Sequence, residues 1–143
     1  MVGFMKRYSP APVRTVVRSQ VKQTVAKHMK VGRSGEEAAE RFLRRLGYRI
    51  DGKNIRLGKD EVDILAWDPR DDVVVFVEVK TRSIPSEDFC PVINVTRKKR
   101  WSMRRAARRW VADHEYEGGY RIDVVSVSGS RVTDHIIELS WTR

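Results

Sequence analysis

Apolar residues recur at helical spacing in two segments of the chain. The first predicts a helix from about residue 35 to residue 46. Its apolar face comprises Ala38, Ala39, Phe42, Leu43 and Leu46. Ser34 and Glu37 form a capping box in front of this helix, and Gly47 is suited to end it. We therefore expect ordered structure to begin at Ser34.

The second helical pattern predicts a helix from residue 97 to about residue 113. One side is apolar and is expected to be core: Met103, Ala106, Ala107 and Trp110. The opposite side is basic and comprises Arg97, Arg100, Arg104, Arg105 and Arg108. The helix is therefore predicted to pack on one face and to present cations on the other.

Strand patterns lie between and after the two predicted helices. Residues 61–67 and 73–80 predict a β-hairpin around the turn formers of residues 68–72. Residues 48–50 and 54–56 predict short strand pieces, and residues 121–127 and 135–139 predict two more strands around a turn at 128–131. Residues 83–94, with two prolines, predict a loop. This order predicts an α/β fold, a mixed four- to five-stranded sheet flanked by helices.

Positive charge is concentrated in two places. The net charge is +10, yet residues 1–31 hold seven Lys or Arg and no acid, and residues 97–109 hold eight. We predict a basic N-terminal arm at 1–31, flexible or partly helical, and a globular domain at 32–143. A targeting segment is the alternative for the arm. The charge suits a nucleic acid, and a solubilising basic surface is the alternative.

Neither a membrane nor a disulfide is expected. The longest apolar run, residues 73–77, has the length of a strand, far below the roughly 18 to 20 residues of a membrane span. The single cysteine, Cys90, cannot form an internal disulfide. We expect a cytoplasmic protein.

The hairpin carries the candidate chemistry. Strand alternation puts Glu78 and Lys80 on one face, and a turn closed by Asp68 and Val73 sets Asp63 opposite Glu78. Two ionised carboxylates at that spacing repel each other unless a cation lies between them. Carboxylate oxygens suit Mg²⁺ or Mn²⁺, and Lys80 can orient a water. The alternative is a cross-strand salt-bridge cluster on a solvated face.

Two further groups are candidates for the same site. The backbone carbonyl of Val79 is a candidate third metal ligand. Glu36, in the first turn of the predicted first helix, is expected to point toward Asp63 and Glu78 if that helix packs on the sheet. The alternative for Glu36 is a carboxylate that complements the helix dipole.

The motifs of the chain, taken together, resemble a known family. They are Gly32-Arg-Ser-Gly-Glu36, Gly47-Tyr48, Asn54, Glu61-Val-Asp-Ile64, Phe76-Val-Glu-Val-Lys-Thr-Arg82 and Arg121-Ile-Asp123. In this order and spacing they resemble the YraN family of small bacterial proteins. That family is similar to the Holliday-junction resolvases of the PD-(D/E)xK, or restriction-endonuclease-like, superfamily. The resemblance covers residues 32–127.

The resemblance implies a restriction-endonuclease-like fold and a Mg²⁺-dependent phosphodiesterase site. On the matching positions, Asp63 and Glu78 are metal ligands, Lys80 is the catalytic lysine and Glu36 is the helix carboxylate. A homodimer is implied by analogy, because resolvases act as dimers on symmetric substrates. Asp60 departs from the family pattern, which has glycine there, and is expected to alter the turn or to add a charge near the metal.

Phosphate contacts are expected from the second helix and from the end of the hairpin. The candidates are Arg82, Arg97, Lys98, Arg100, Trp101, Arg104, Arg105 and Arg108. Trp101 is expected to stack on an exposed base, unless the adjacent loop covers it. Arg121 and Asp123 are expected either to pair or to lie near the site.

These features favour a metal-dependent nuclease that acts on DNA, with branched and single-stranded DNA as candidate substrates. A catalytically silent nucleic-acid-binding module on the same fold is the first alternative. A basic scaffold protein that binds RNA or another protein is the second.

Overall fold

The computed structural model of the protein describes residues 23–82 and 95–138. These residues form two helices and five strands, which we label in chain order. The elements are α1 (Gln23–Arg45), β1 (Arg49–Leu57), β2 (Asp60–Asp68), β3 (Val73–Arg82), α2 (Arg97–Asp113), β4 (Gly119–Ser128) and β5 (Arg131–Ile136). The predicted α/β fold is confirmed.

The five strands form one mixed sheet in the order β1-β2-β3-β4-β5. Neighbouring strands run antiparallel except β3 and β4, which are parallel and are joined through α2. A parallel pair needs such a crossover connection, because its strands begin at the same edge. The hairpin predicted for residues 61–80 is therefore the centre of the sheet.

Two apolar clusters cover the two faces of the sheet. The cluster under α1 includes Leu43, Ile64, Val75, Val77 and Val125. The cluster under α2 includes Leu65, Val74, Phe76, Ile122 and Val124, and the buried residues of α2 itself are the four that were predicted: Met103, Ala106, Ala107 and Trp110. Burial of both faces explains why β3 begins as an almost uninterrupted run of valines.

The predicted start of the first helix is wrong. Helix α1 begins at Gln23 and runs through Ser34, so Ser34 is not its N-cap. Residues 23–31 of the arm, which was predicted to be flexible or partly helical, are helical. A capping box favours a helix start, but no proline lies between Gln23 and Ser34, and the helix continues through Gly32. Residues 1–22 of the predicted arm lie outside the described residues.

Gly35 has a packing role in α1. A Cβ atom built on Gly35 would overlap the side-chain hydroxyl of Thr81 at the end of β3. The glycine therefore lets α1 approach the sheet at the strand end that carries Lys80. Neither helix in the described part of the chain is long and apolar enough to span a membrane.

The strand predictions are partly confirmed. The two pieces predicted at 48–50 and 54–56 are one strand, β1, with an irregularity between Ile50 and Gly52. The turn at 128–131 is confirmed, with Gly129 at φ +64°. Strand β5 starts at Arg131, directly after that turn and four residues before the predicted start. It ends at Ile136, so the prediction that the strand includes residues 137 and 138 is wrong. The loop predicted at 83–94 and residue 139 lie outside the described residues.

Arg121 and Asp123 pair with each other inside the structure. The Arg121 Nε donates to Asp123 Oδ1 at 2.9 Å, and its other nitrogens reach Tyr48, Asp68 and Asp71. His135 Nε2 lies 2.8 Å from the second Asp123 oxygen. Burial alone would raise the pKa of Asp123, but these hydrogen bonds lower it. The cluster links β4 and β5 to the turn between β2 and β3.

Candidate active site

The strands β2 and β3 pair in the register that places the two acids side by side. Their ladder runs from Asp68↔Val73 to Ile64↔Val77, and the next step would set Asp63 opposite Glu78. At that point a side chain takes the place of a backbone acceptor: the Oδ2 of Asp63 accepts the backbone N–H of Val79 at 2.7 Å. The acid is thus held between the two strand ends by a main-chain hydrogen bond.

Glu78 lies on the α2 side of the sheet and is buried, with 5% of its surface exposed. Its Oε1 is 3.4 Å from the Nζ of Lys80, as the alternation of β3 predicts. Its Oε2 is 3.0 Å from the Nζ of Lys99, in the first turn of α2. Two ammonium groups therefore flank the buried carboxylate.

The ionisation of Asp63 reflects how close the two acids are. Burial raises the pKa of Asp63 to about 7, and the negative charge of Glu78 adds to the increase. The Val79 N–H and the Lys99 charge act in the opposite direction. The structure therefore brings Asp63 and Glu78 into strong electrostatic contact, as the sequence predicts.

Glu36 is at the border of the same cluster. Its Oε2 accepts a hydrogen bond from Asn54 Nδ2 at 3.0 Å, which fixes the carboxylate between α1 and β1. Its charge is near enough to raise the pKa of Asp63 further. The close approach of α1 at Gly35 places Glu36 there, which agrees with the predicted orientation.

The donor atoms suit a hard divalent cation. In residues 23–82 and 95–138, no three His, Cys, Asp or Glu side chains are arranged as a ligand group. A cation would be held by Asp63, Glu78 and additional backbone or water oxygens. This is a usual arrangement for Mg²⁺, which binds one or two carboxylates and keeps several waters. The carbonyl of Val79 stays a predicted ligand; the Val79 contact that the structure shows is its N–H.

Lys99 is the site residue that the sequence analysis missed. It was counted among the eight basic residues of 97–109 and was given no role. The available signal was its spacing, because Lys99, Met103, Ala106 and Trp110 follow one another at intervals of four, three and four residues. Lys99 therefore continues the buried stripe of the helix toward the sheet.

Ser126 is a second residue that the sequence analysis missed, and no sequence signal indicates it. It is register partner of Lys80 in the parallel pair of β3 and β4, so the two residues share a face. Ser126 is fully buried, and its hydroxyl has no hydrogen-bond partner among the described residues. An unused buried hydroxyl beside the lysine adds polarity to this end of the sheet.

The predicted phosphate contacts divide into engaged and exposed groups. Arg105 makes two 2.7 Å hydrogen bonds to Asp60, and the Arg100 Nε donates to the Val95 carbonyl at 3.2 Å. Arg104 lies over the ring of Trp101, 5.7 Å from its centroid. The remaining predicted residues on α2, Arg97, Lys98 and Arg108, are exposed, and Arg82 is half-buried at the end of β3.

The structure shows what Asp60 contacts and whether Trp101 is covered, two points that the sequence left open. Asp60 binds Arg105 and so joins the turn between β1 and β2 to α2, which explains how an acid is accommodated where the family pattern has glycine. Trp101 is 55% exposed, on the side of α2 away from Lys99. Its surface is open to a base or to another partner.

The chain matches one family model and many curated relatives. The model is described as "Uncharacterised protein family UPF0102" and matches residues 35–127. A UPF0102 protein of Cytophaga hutchinsonii is 33% identical over 113 residues, 79% of this chain and 97% of the relative. One from Desulfosudis oleivorans is 40% identical over 109 residues, 76% of this chain and 84% of the relative. One from a Mycobacterium species is 37% identical over 127 residues, 87% and 93% respectively. The matched region contains Glu36, Asp63, Glu78, Lys80 and Lys99.

Proposed function

The chain belongs to the UPF0102 family, and we propose that it is a metal-dependent nuclease that hydrolyses phosphodiester bonds in DNA. The observation that carries the proposal is the convergence of Asp63, Glu78 and Lys80 where β2 and β3 separate. A salt bridge between Glu78 and Lys80 would not require Asp63 beside it, with a pKa raised to about 7. Such perturbed acids are typical of functional sites.

Each site residue has a role that its geometry supports. Asp63 and Glu78 would hold a Mg²⁺ or Mn²⁺ ion, which would supply polarisation of the phosphoryl group and of a bound water. Lys80, with 31% of its side chain exposed, reaches solvent beside Glu78 and orients the attacking water. Glu36, held by Asn54, adds a carboxylate at the border of the cluster.

The substrate class comes from the family resemblance and the charge. The order of Glu36, Asp63, Glu78 and Lys80 is similar to that of the YraN family and of junction resolvases with a restriction-endonuclease-like fold. Branched or single-stranded DNA is therefore the proposed substrate, cytoplasmic action the proposed setting and a homodimer the proposed active form. The exposed cations of α2 supply the phosphate contacts.

The test is cleavage of labelled branched, single-stranded and duplex DNA with Mg²⁺, with Mn²⁺ and with EDTA. Asp63→Asn keeps the side-chain shape and removes the charge, and it is compared with Asp134→Asn, an exposed acid on β5. We expect cleavage by the wild type and by Asp134→Asn, and at least a hundredfold loss in Asp63→Asn. Equal cleavage by both variants, or cleavage in EDTA, contradicts the proposal.

One observation favours a second candidate, a nucleic-acid-binding module without turnover. Both oxygens of Glu78 already face ammonium groups, which neutralise the carboxylate without a metal. In that case the wild type binds DNA in a salt-sensitive manner, cuts none of the substrates, and binds equally well after Asp63→Asn.

A further inference from the structure

Lys99 comes from a different element than the other site residues. It projects from the first turn of α2, and its ammonium reaches Glu78 Oε2 at 3.0 Å while 29% of its side chain stays exposed. Burial alone would lower the pKa of Lys99, but the charges of Glu78 and Asp63 raise it overall. Lys99 is therefore charged, and its ammonium lies within reach of both the carboxylate pair and solvent.

The start of α2 is an unusual place for this cation. The first turn contains Arg97, Lys98 and Lys99 and no acidic residue, although the positive end of the helix dipole disfavours cations there. The hydroxyl of the N-cap Thr96 accepts the backbone N–H of Lys99 at 3.1 Å, which fixes the backbone from which the lysine extends. Both the helix dipole and the cations of this turn favour a nearby anion. In the structure, the anion that pairs with Lys99 is the carboxylate of Glu78.

Lys99 also lies beside the oxygen that a cation would need, because Glu78 Oε2 has the ion pair to Lys99 but no hydrogen bond among the described residues. Glu78 has one oxygen beside Lys80 and one beside Lys99, so a metal held by Glu78 must share or replace one of these ion pairs. The two lysines have the same flexible stem and similar exposure, 31% for Lys80 and 29% for Lys99. The charge of Lys99 also acts on Asp63, so Lys99 lies on the side of Glu78 where the two acids meet. Lys99 is therefore the partner that a metal between the two acids would displace.

We propose that Lys99 is a positioning residue that neutralises Glu78 while no metal is bound and turns to a phosphate of the substrate once a divalent cation occupies the carboxylates. This inference rests on the proposed function, since it names a further residue of the same site. It gives Lys99 opposite effects on the two ligands: it competes with the metal and attracts the nucleic acid.

The test measures those two affinities separately in the full chain. Lys99→Met and Lys99→Gln remove the charge, Lys99→Arg keeps it, and Lys59→Met is the matched control at an exposed lysine in the turn between β1 and β2. Mn²⁺ binding is measured by calorimetry without DNA. Binding of a fluorescent single-stranded oligonucleotide is measured by anisotropy in Ca²⁺, and thermal unfolding confirms that each variant folds.

We expect Lys99→Met and Lys99→Gln to bind Mn²⁺ about tenfold more tightly and the oligonucleotide about tenfold more weakly. Lys99→Arg and Lys59→Met should stay within about twofold of wild type on both measurements. A merely structural lysine would weaken both affinities or neither, and either result overturns the inference.

The outcome for Lys99 is separable from the outcome for the nuclease. If the wild type binds Mn²⁺ and the two affinities change in opposite directions, but no DNA is cut, the Lys99 inference stands and hydrolysis does not. If the wild type cuts DNA with Mn²⁺ and Lys99→Met does not bind Mn²⁺ more tightly, hydrolysis stands and the inference fails.

Discussion

At the scale of single residues, Asp63 shows how the architecture of the site changes the ionisation of a side chain. Its side chain completes the ladder between β2 and β3 by accepting the Val79 N–H, and so it is held close to Glu78 in a partly buried position. A carboxylate in such a place is costly without a counter-ion, and its raised pKa is the measure of that cost. A divalent cation between the two acids would remove this cost.

The raised pKa of Asp63 predicts how the metal-free protein responds to pH. The folded value is about 7, above the roughly 3.9 of an unfolded aspartate. The folded state therefore keeps a proton that the unfolded state has lost, and the contribution of Asp63 to stability is lost as pH rises from about 4 to 7. In EDTA, Asp63→Asn should be more stable than wild type at pH 8 by at least about 1 kcal/mol and should lack this decline.

The measurement is chemical denaturation at several pH values, with Asp134→Asn as the control. The control should follow the wild-type pH dependence. If the difference between Asp63→Asn and wild type is the same at pH 4 and pH 8, then the folded pKa of Asp63 is not raised.

Single residues in strands were the easiest part of the site to predict. Strand alternation and the Asp68–Val73 turn are enough to bring Asp63, Glu78 and Lys80 together, because both depend on residues close in sequence. Lys99 was not predicted, because its contact with Glu78 depends on how α2 is placed over the sheet. Local periodicity shows which face of a helix is buried, but not what its end meets.

At the scale of elements, α1 shows how a local start signal is overridden. Ser34 and Glu37 have the spacing of a capping box, yet the helix continues on their N-terminal side to Gln23. The same segment contains Gly35, which reads as part of that start signal but is needed for contact with Thr81. Helix length was therefore less predictable than helix position.

Two neighbouring substitutions distinguish the capping and packing roles. Ser34→Ala would cost about 1 kcal/mol at an N-cap, but in the middle of α1 it should stabilise the protein by about 0.5 kcal/mol. Gly35→Ala should instead destabilise it by about 1–3 kcal/mol, because the new methyl group overlaps Thr81. Both are measured by urea denaturation. Adding Thr81→Ala should recover most of the Gly35→Ala loss, and no recovery would contradict the packing role.

The pairing of Asp60 with Arg105 is a second link between elements. Asp60 is buried and Arg105 is half-exposed, and the pair fastens the turn between β1 and β2 to α2. The pKa of Asp60 is lowered, chiefly by the hydrogen bonds from Arg105. The link is therefore present at neutral pH and is lost as pH falls through the lowered pKa of Asp60.

A double-mutant cycle tests this link. Asp60→Asn and Arg105→Gln should each lower Tm by about 2–4 °C at pH 7, and the double variant should lose little more than either single variant. Arg108→Gln, at an exposed position on the same helix, serves as the comparison and should be additive with Asp60→Asn. Additive losses for Asp60 and Arg105 would mean that the two residues act independently.

At the scale of the whole molecule, the two faces of the sheet have different tasks. The α1 face contains the Arg121–Asp123–His135 cluster, which joins β4, β5 and the β2–β3 turn. The α2 face contains Glu78, and α2 carries the exposed cations. The predictable part of this arrangement was the order of elements and the buried stripe of α2. Which charged groups lie on each face was not predictable, because Arg121 contacts residues as far away in sequence as Tyr48.

The charge of the molecule predicts the salt dependence of DNA binding. Arg97 and Lys98 are exposed in the first turn of α2, next to the residue that reaches Glu78. Because each phosphate contact releases a counterion, replacing both by Gln should reduce the slope of log K against log salt concentration by about 1.4 to 1.8. The matched control replaces Arg41 and Arg45 by Gln, which removes the same charge from the exposed side of α1. Its slope should change by much less, since Arg41 and Arg45 lie on the helix that covers the opposite face of the sheet from Glu78. Equal changes in the two double variants would mean that DNA responds to net charge alone and not to this surface.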